Sequence, residues 1–367
     1  METIDVGVLG ATGAVGQKFI ALLEHHPYFR VRELVASSRS AGKPYHEAVR
    51  WLQGSPIPDN VARLPVKAVG DILGCTVLFS GLDSSVAGET EQYYAERGHL
   101  VISNSRNHRM DEDVPLVIPE INHEHLLLVD HQPWPGAIVT NPNCSTMFLA
   151  MALAPLQRTF GIRAVQVSTL QAMSGAGYPG LSALDILGNV VPHIEGEEEK
   201  IEIETLKILG SLDNGRIEPV RIPVAAQCTR VPVVDGHTET VSLQLDVPAT
   251  LEDVRHALEG FRGLPQELAL PSAPLRPLVL FDQVDRPQPA RDLGIEGGMA
   301  TLIGRLRPCP VFDYRMVLLG HNTIRGAAGA AILNAETMVA MGYLRNGVFT
   351  RGACADGGCR EIEKASA

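Results

Sequence analysis

Hydrophobic and polar positions alternate differently in the two halves of the chain. Residues 4–9 form an apolar run, followed by Gly10-Ala11-Thr12-Gly13-Ala14-Val15-Gly16 and then by Phe19, Ile20, Leu22 and Leu23 at helical spacing. This order reads as strand, glycine turn and helix. Apolar runs at 31–36, 76–80, 100–103, 114–119 and 137–140 predict further strands, with a helix over 86–97. The alternation points to the α/β class, with a Rossmann-like doubly wound parallel sheet over 1–143. After a helix from 146 to about 156 the character changes. Strand-like stretches follow at 165–170, 229–234, 238–247, 299–306 and 313–319, and Val241, Leu243 and Leu245 alternate with polar neighbours. A mixed or antiparallel sheet over 144–322, an α+β unit able to carry a subunit interface, is the expectation. An alanine- and glycine-rich helix over 324–341, within a C-terminal segment 323–367, should return to complete the first unit.

Composition narrows the class. The chain has 367 residues, 45% of them hydrophobic, enough for a large core and two domains. A net charge of -11 without a basic stripe argues against a nucleic-acid partner. No apolar run approaches a membrane span and the N-terminus does not read as a signal peptide, so a soluble cytoplasmic protein with no membrane partner is expected. Six cysteines, at 75, 144, 228, 309, 354 and 359, are scattered rather than arranged as a disulfide framework. The Cys354 and Cys359 tail reads as a solvated extension. His123-Glu124-His125 with His131 lacks a recognised ligand spacing, and no metal is expected.

Two sites of candidate chemistry stand out. Glycines let a backbone approach a pyrophosphate facing a helix N-terminus, which makes Gly10, Thr12, Gly13, Ala14, Val15 and Gly16 candidate dinucleotide contacts. Where an NAD enzyme places an acidic residue after the second strand, this chain has Ser37, Ser38, Arg39 and Ser40. Hydroxyls and a guanidinium suit a 2′-phosphate, so NADP is favoured over NAD. Cys144 lies at the second site, in Asn141-Pro142-Asn143-Cys144-Ser145-Thr146, between an extended stretch and a helix. Helix-opening N–H groups favour a thiolate there and can stabilise an oxyanion. A buried, inert cysteine is the alternative.

The glycine turn, the Cys144 turn, residues 196–209, Arg230-Val231-Pro232-Val233 with His237, and His321-Asn322-Thr323-Ile324-Arg325-Gly326 together resemble the aspartate-semialdehyde dehydrogenases, the archaeal and fungal branch in particular. The resemblance covers nearly the whole chain. It implies NADPH-dependent reduction of aspartyl β-phosphate to the semialdehyde, a step in lysine, threonine and methionine biosynthesis, by a homodimer or homotetramer. Cys144 would be the nucleophile that forms a thioester and His237 the acid/base group, with Gln171 orienting the substrate and Asn143 the acyl oxygen. Arg230 would clamp the α-carboxylate, Arg109 and Lys200 the phosphate, and Glu197 the ammonium, with Glu198 and Glu199 as alternative registers. Ser174, Gly175 and Asn322 would meet the cofactor. A malonyl-CoA reductase, or another acyl-to-aldehyde reductase on the same scaffold, is the enzyme alternative. An NADP-binding redox sensor is the non-enzyme one, disfavoured because a sensor has no use for all these side chains together.

Overall fold

The computed structural model describes residues 3–352, so Cys354 and Cys359 lie outside the described residues. Strands β1 (Ile4–Leu9), β2 (Phe29–Ala36), β3 (Val66–Ala68), β4 (Val77–Ser80), β5 (Leu100–Ser103) and β6 (Ala137–Thr140) form one sheet in the order β3-β2-β1-β4-β5-β6. All neighbours in it are parallel. The order reverses between β1 and β4, which leaves a crevice outside the carboxyl ends of the strands. The glycine turn after β1, residues 37–40 after β2, the Arg109 loop after β5 and Cys144 after β6 all leave by that edge. Completely buried β4, β5 and β6 read as unbroken apolar runs because both faces of the sheet are covered.

Beyond β6, the helix Cys144–Phe160 is buried on every side from Ser145 to Leu156, as its lack of a polar face requires. It lies against a second sheet of β7 (Ile162–Gln171), β10 (Val224–Arg230), β11 (His237–Leu245), β12 (Leu278–Leu280), β13 (Thr301–Pro308) and β14 (Tyr314–Gly320) in the order β10-β7-β11-β14-β13-β12. Strands β8 (Ser211–Asp213) and β9 (Arg216–Glu218) form a separate hairpin. The second sheet is mixed: β10 with β7 and β12 with β13 are parallel, the rest antiparallel. Val165, Val167, Val241, Leu243 and Leu318 from it share a core with Met147, Leu149 and Leu153 of the buried helix.

The 324–341 segment is helical in two parts, a π-turn at Ile324–Ala328 and an α-helix at Gly329–Ala340. Ala328, Ala331, Ile332 and Ala335 join the core built by Val6, Phe19 and Phe79. The chain then turns into a hairpin of β15 (Leu344–Arg345) and β16 (Val348–Phe349), so the helix does not continue to the terminus. Two strand expectations fail. Residues 114–119 make only a single bridge, Leu116 to Thr140, because Asn122 takes over the backbone: its Oδ1 accepts from Ile118 N at 2.9 Å and its Nδ2 donates to Leu116 O at 2.9 Å. Around 229–234 the strand lies earlier, at Val224–Arg230, since Pro232 has no N–H to give a ladder and Val233 N turns back to Val231 O at 2.8 Å.

Candidate active site

Asn143 organises the turn that carries Cys144. As N-cap of the buried helix it accepts from Ser145 N at 2.9 Å and Thr146 N at 3.2 Å through Oδ1. Its Nδ2 donates to Glu197 Oε1 at 2.7 Å and its own backbone N donates to Glu204 Oε2 at 2.6 Å. Of the first-turn donors, the Cys144 N–H is left without a partner among the described residues. Cys144 itself is half-buried, and Gly326 backs it so closely that a Cβ there would lie 2.7 Å from the Cys144 Cβ. Burial, and after it the Glu197 charge, push the thiol up to about 12, against Arg109, Lys200 and Arg230. Burial and the Glu197 charge thus oppose the thiolate that the helix-opening N–H groups are expected to favour, and they outweigh the three cations.

The end of the second sheet supplies the opposite wall. Arg230 on β10 is the Cα partner of Gln171 on β7, and His237 on β11 is paired with Gly320 on β14. Arg230 Nη1 donates to Ala172 O at 2.8 Å and lies 3.4 Å from Gln171 Oε1, while Gln171 Nε2 donates to Glu197 Oε1 at 3.0 Å. His237 Nδ1 accepts from Ala172 N at 3.0 Å, which puts the neutral ring's proton on Nε2, a buried atom with no partner among the described residues. Burial, then the nearby Arg230 charge, push the imidazole down to about 3.

The third wall is the helix Glu197–Ile208, entered through Gly196 in the left-handed region at φ 62°. A period of 3.6 brings Glu197, Lys200, Glu204 and Lys207 onto one face. Glu197 points inward, whereas Glu198 accepts from Cys228 N at 2.9 Å and Glu199 is exposed. Lys200 Nζ donates to Glu197 Oε2 at 2.5 Å. Burial raises the Glu197 carboxyl, but Lys200, Asn143 and Gln171 outweigh it and hold it below the usual range. Arg109, 7% exposed, donates through Nη1 to Glu204 Oε1 at 2.9 Å and through Nη2 to Asn104 O at 2.8 Å.

On the dinucleotide side, Gly10 has φ 75° and its N–H and that of Ala11 both reach Val35 O, at 2.9 and 3.0 Å. A Cβ on Gly16 would sit 2.2 Å from Gly10 O, so the turn can close only with glycine. Gly13 caps the helix Ala14–Leu22 without a side chain, which leaves the N–H groups of its first turn facing the cleft. Thr12, Ala14 and Val15 lie on the same turn. Ser37, Ser38 and Arg39 are exposed in the turn after β2, closed by Ser40 N to Ser37 O at 2.9 Å. A cleft of ≈540 Å³, lined in part by Ala14, Lys18, Ser174, Asp235 and Thr323, runs between the glycine helix and the second half. Asn322 spans two other segments, donating to Ser174 Oγ at 2.8 Å and accepting from Gly236 N at 2.8 Å. Gly175 lies under the substrate-side wall, where a Cβ would come 2.7 Å from Arg230 Nη1 and 2.9 Å from His237 Cε1.

Residues 5–129 match the family described as semialdehyde dehydrogenase, NAD binding domain, and residues 153–325 match semialdehyde dehydrogenase, dimerisation domain. The chain is 52% identical over 344 residues to the aspartate-semialdehyde dehydrogenase of Methanothermobacter thermautotrophicus, covering 91% of this chain and 98% of that one. It is 46% identical over 361 residues to the enzyme of that name from Candida albicans, covering 93% and 99%. The chain belongs to the aspartate-semialdehyde dehydrogenase family. Its fold also matches the crystal structure of the Candida albicans aspartate-semialdehyde dehydrogenase with NADP, at a TM-score of 0.85 and 44% identity, covering 92% of this chain and 99% of that one.

Several residues that shape the site of this aspartate-semialdehyde dehydrogenase family member escape a reading of the sequence. Glu204 and Lys207 continue the stripe begun by Glu197 and Lys200, and that spacing was the available signal. Lys207 Nζ donates to the carbonyls of Arg109, Asp111 and Val114 at 2.8, 2.8 and 2.9 Å and so fixes the arginine loop. Gln17 clasps the glycine turn, donating to Thr12 O at 2.9 Å and Arg50 O at 3.0 Å. Glu239, two residues beyond His237 on the same face of β11, is fully buried, and burial raises its carboxyl well above the usual range. Among the described residues no group of three or more His, Cys, Asp or Glu side chains is placed to hold a metal ion, and His125 is held by Asn122 Nδ2 at 2.9 Å and Gly210 O at 3.2 Å. Among the described residues, no helix is long and apolar enough to cross a membrane.

Proposed function

We propose that this chain reduces L-aspartyl 4-phosphate to L-aspartate 4-semialdehyde with NADPH, releasing phosphate, through a thioester on Cys144. The observation that carries this reading is the Glu197–Lys200 ion pair, its carboxylate buried and its ammonium half-buried, whose charges act on Cys144 together with those of Arg109 and Arg230. That charge set complements one substrate in every part: cations for a phosphate and an α-carboxylate, and a carboxylate for an ammonium. An arriving aspartyl phosphate exchanges partners within the pair, its ammonium taking Glu197 while Lys200 turns to the phosphate. Malonyl-CoA brings no ammonium, so it would leave Glu197 buried without a substrate partner.

The uncapped helix start at Gly13, the close approach at Gly16 and the exposed Ser37, Ser38 and Arg39 fit a dinucleotide with a 2′-phosphate. When bound, NADPH supplies hydride to the acyl carbon. The chain's own residues do the rest. Arg230 holds the α-carboxylate in two hydrogen bonds, with Gln171 setting its fork, and the sulfur adds to the acyl carbon, its proton leaving with the expelled phosphate as hydrogen phosphate. The Cys144 N–H and the His237 Nε2–H are the donors for the developing oxyanion, and phosphate leaves toward Arg109 and Lys200. Burial and Arg230 hold down protonation of His237, and with Nδ1 accepting from Ala172 N the neutral ring serves the oxyanion as a donor through Nε2–H. Ser174, Gly175 and Asn322 hold the loop between the two ligands.

The dinucleotide unit is read as 1–143 completed by the segment from 323, and the catalytic unit as 144–322. Its match to a dimerisation domain supports a homodimer or homotetramer, checked by light scattering. A biosynthetic reaction of this kind fits a cytoplasmic enzyme. The deciding experiment is phosphate-dependent NADP reduction with aspartate semialdehyde beside malonyl-CoA reduction with NADPH. Turnover in the first assay alone is expected; turnover in the second alone overturns the substrate assignment, and turnover in neither overturns the enzyme.

A further inference from the structure

Glu204 is 1% exposed and does not line the cleft. Its two oxygens go to two different parts of the site: Oε1 accepts from Arg109 Nη1 at 2.9 Å and Oε2 from Asn143 N at 2.6 Å. The first donor belongs to the side chain read above as a phosphate ligand, and the second to the residue immediately before the nucleophile. Lys207, one turn further along the same helix, pins the Arg109 backbone, so the guanidinium pivots about a fixed loop and Glu204 limits that pivot. Arg109 Nε is buried and meets no acceptor among the described residues, which leaves one donor of the fork free for an anion.

We propose that Glu204 is a positioning residue that couples the phosphate site to the nucleophile turn. One rigid carboxylate accepts both groups, so a shift of Arg109 toward an arriving phosphate is felt at Asn143 and, through it, at the sulfur. The Glu197–Ile208 helix thus serves the reaction at two depths, Glu197 and Lys200 at the substrate and Glu204 behind it. This inference rests on the functional reading for the roles of Arg109 and Cys144.

Glutamine is the discriminating substitution, because an amide has one acceptor and one donor end and satisfies either Arg109 or Asn143, not both. In the phosphate-dependent direction, Glu204→Gln is expected to raise the phosphate KM about tenfold and to lower kcat about tenfold at saturating phosphate, with the NADP KM unchanged. With Arg109→Ala already in place, the same substitution is expected to change the phosphate KM by less than about twofold, since its route of action is gone. Glu204→Asp keeps two acceptors at shorter reach and should fall between; it replaces the glutamine variant if that one does not fold. Wild-type constants in Glu204→Gln overturn the coupling, as does an equal effect with Arg109 removed, which would mark a purely structural residue. A wild-type enzyme without phosphate-dependent activity instead defeats the functional reading itself.

Discussion

The dinucleotide turn and the substrate pocket are built by opposite means. The turn is one continuous stretch in which backbone does the work: Gly10 adopts a left-handed conformation, Gly16 lets two segments touch, and no side chain caps the helix. The pocket gathers side chains from six separate segments, and its polar groups are held by their neighbours: Asn143 by Glu197 and Glu204, Gln171 by Arg230 and Glu197, His237 by Ala172. A site made of backbone tolerates side-chain changes except where space is lacking. One made of mutually held charges does not, because removing a partner leaves a buried group unpaired.

Substitutions separate the two regions. The largest effect is expected for Cys144→Ala, which should reduce turnover to background while NADP binding, measured by fluorescence titration, stays within about twofold of wild type. A variant that still turns over breaks the covalent scheme. Gly16→Ala should do the converse, weakening NADP by about tenfold to a hundredfold through the clash with Gly10 O, while Cys144 remains open to iodoacetamide. Equal loss of both properties would show that the regions are not independent. In Arg39→Ala the preference for NADP over NAD should fall by about tenfold, read from the ratio of kcat/KM values. An unchanged ratio moves the 2′-phosphate elsewhere.

Smaller shifts test the electrostatics. Glu197 is the second cause raising the thiol, so Glu197→Gln should lower that thiol's pKa and speed alkylation of the free enzyme at pH 8 about threefold even as turnover falls. Slower alkylation would reverse the sign assigned to Glu197. Glu239 keeps its proton when folded and loses it when unfolded, so its cost to stability grows as pH rises above the ordinary carboxyl range. The melting temperature of Glu239→Gln should therefore gain on wild type by a few degrees between pH 5 and pH 8. A constant difference would mean that Glu239 ionises in place.

Legibility followed the same division. The strand at 4–9, the glycine turn and the strands at 100–103 and 137–140 could be placed to the residue, because each depends on neighbours in sequence. The segment at 114–119 could not, since one side chain, Asn122, outcompetes a ladder that its apolar pattern suggests. In the pocket, chemistry was legible by residue type but partnership was not. Glu197 separates from Glu198 and Glu199 only once the helix face is known, and the shift of the thiol depends on its burial and on which charges the fold brings near it. Short strands such as β3 and β12 carry too few residues to show a period.

On the proposed reading, the ion pair between Glu197 and Lys200 means that the pocket itself carries charges complementary to those of aspartyl phosphate. A competitive inhibitor carrying only an anion must pull Lys200 away and abandon Glu197, and one carrying only a cation abandons Lys200. Selective compounds against this pocket must therefore be zwitterions with their two charges spaced to replace both halves of the pair at once.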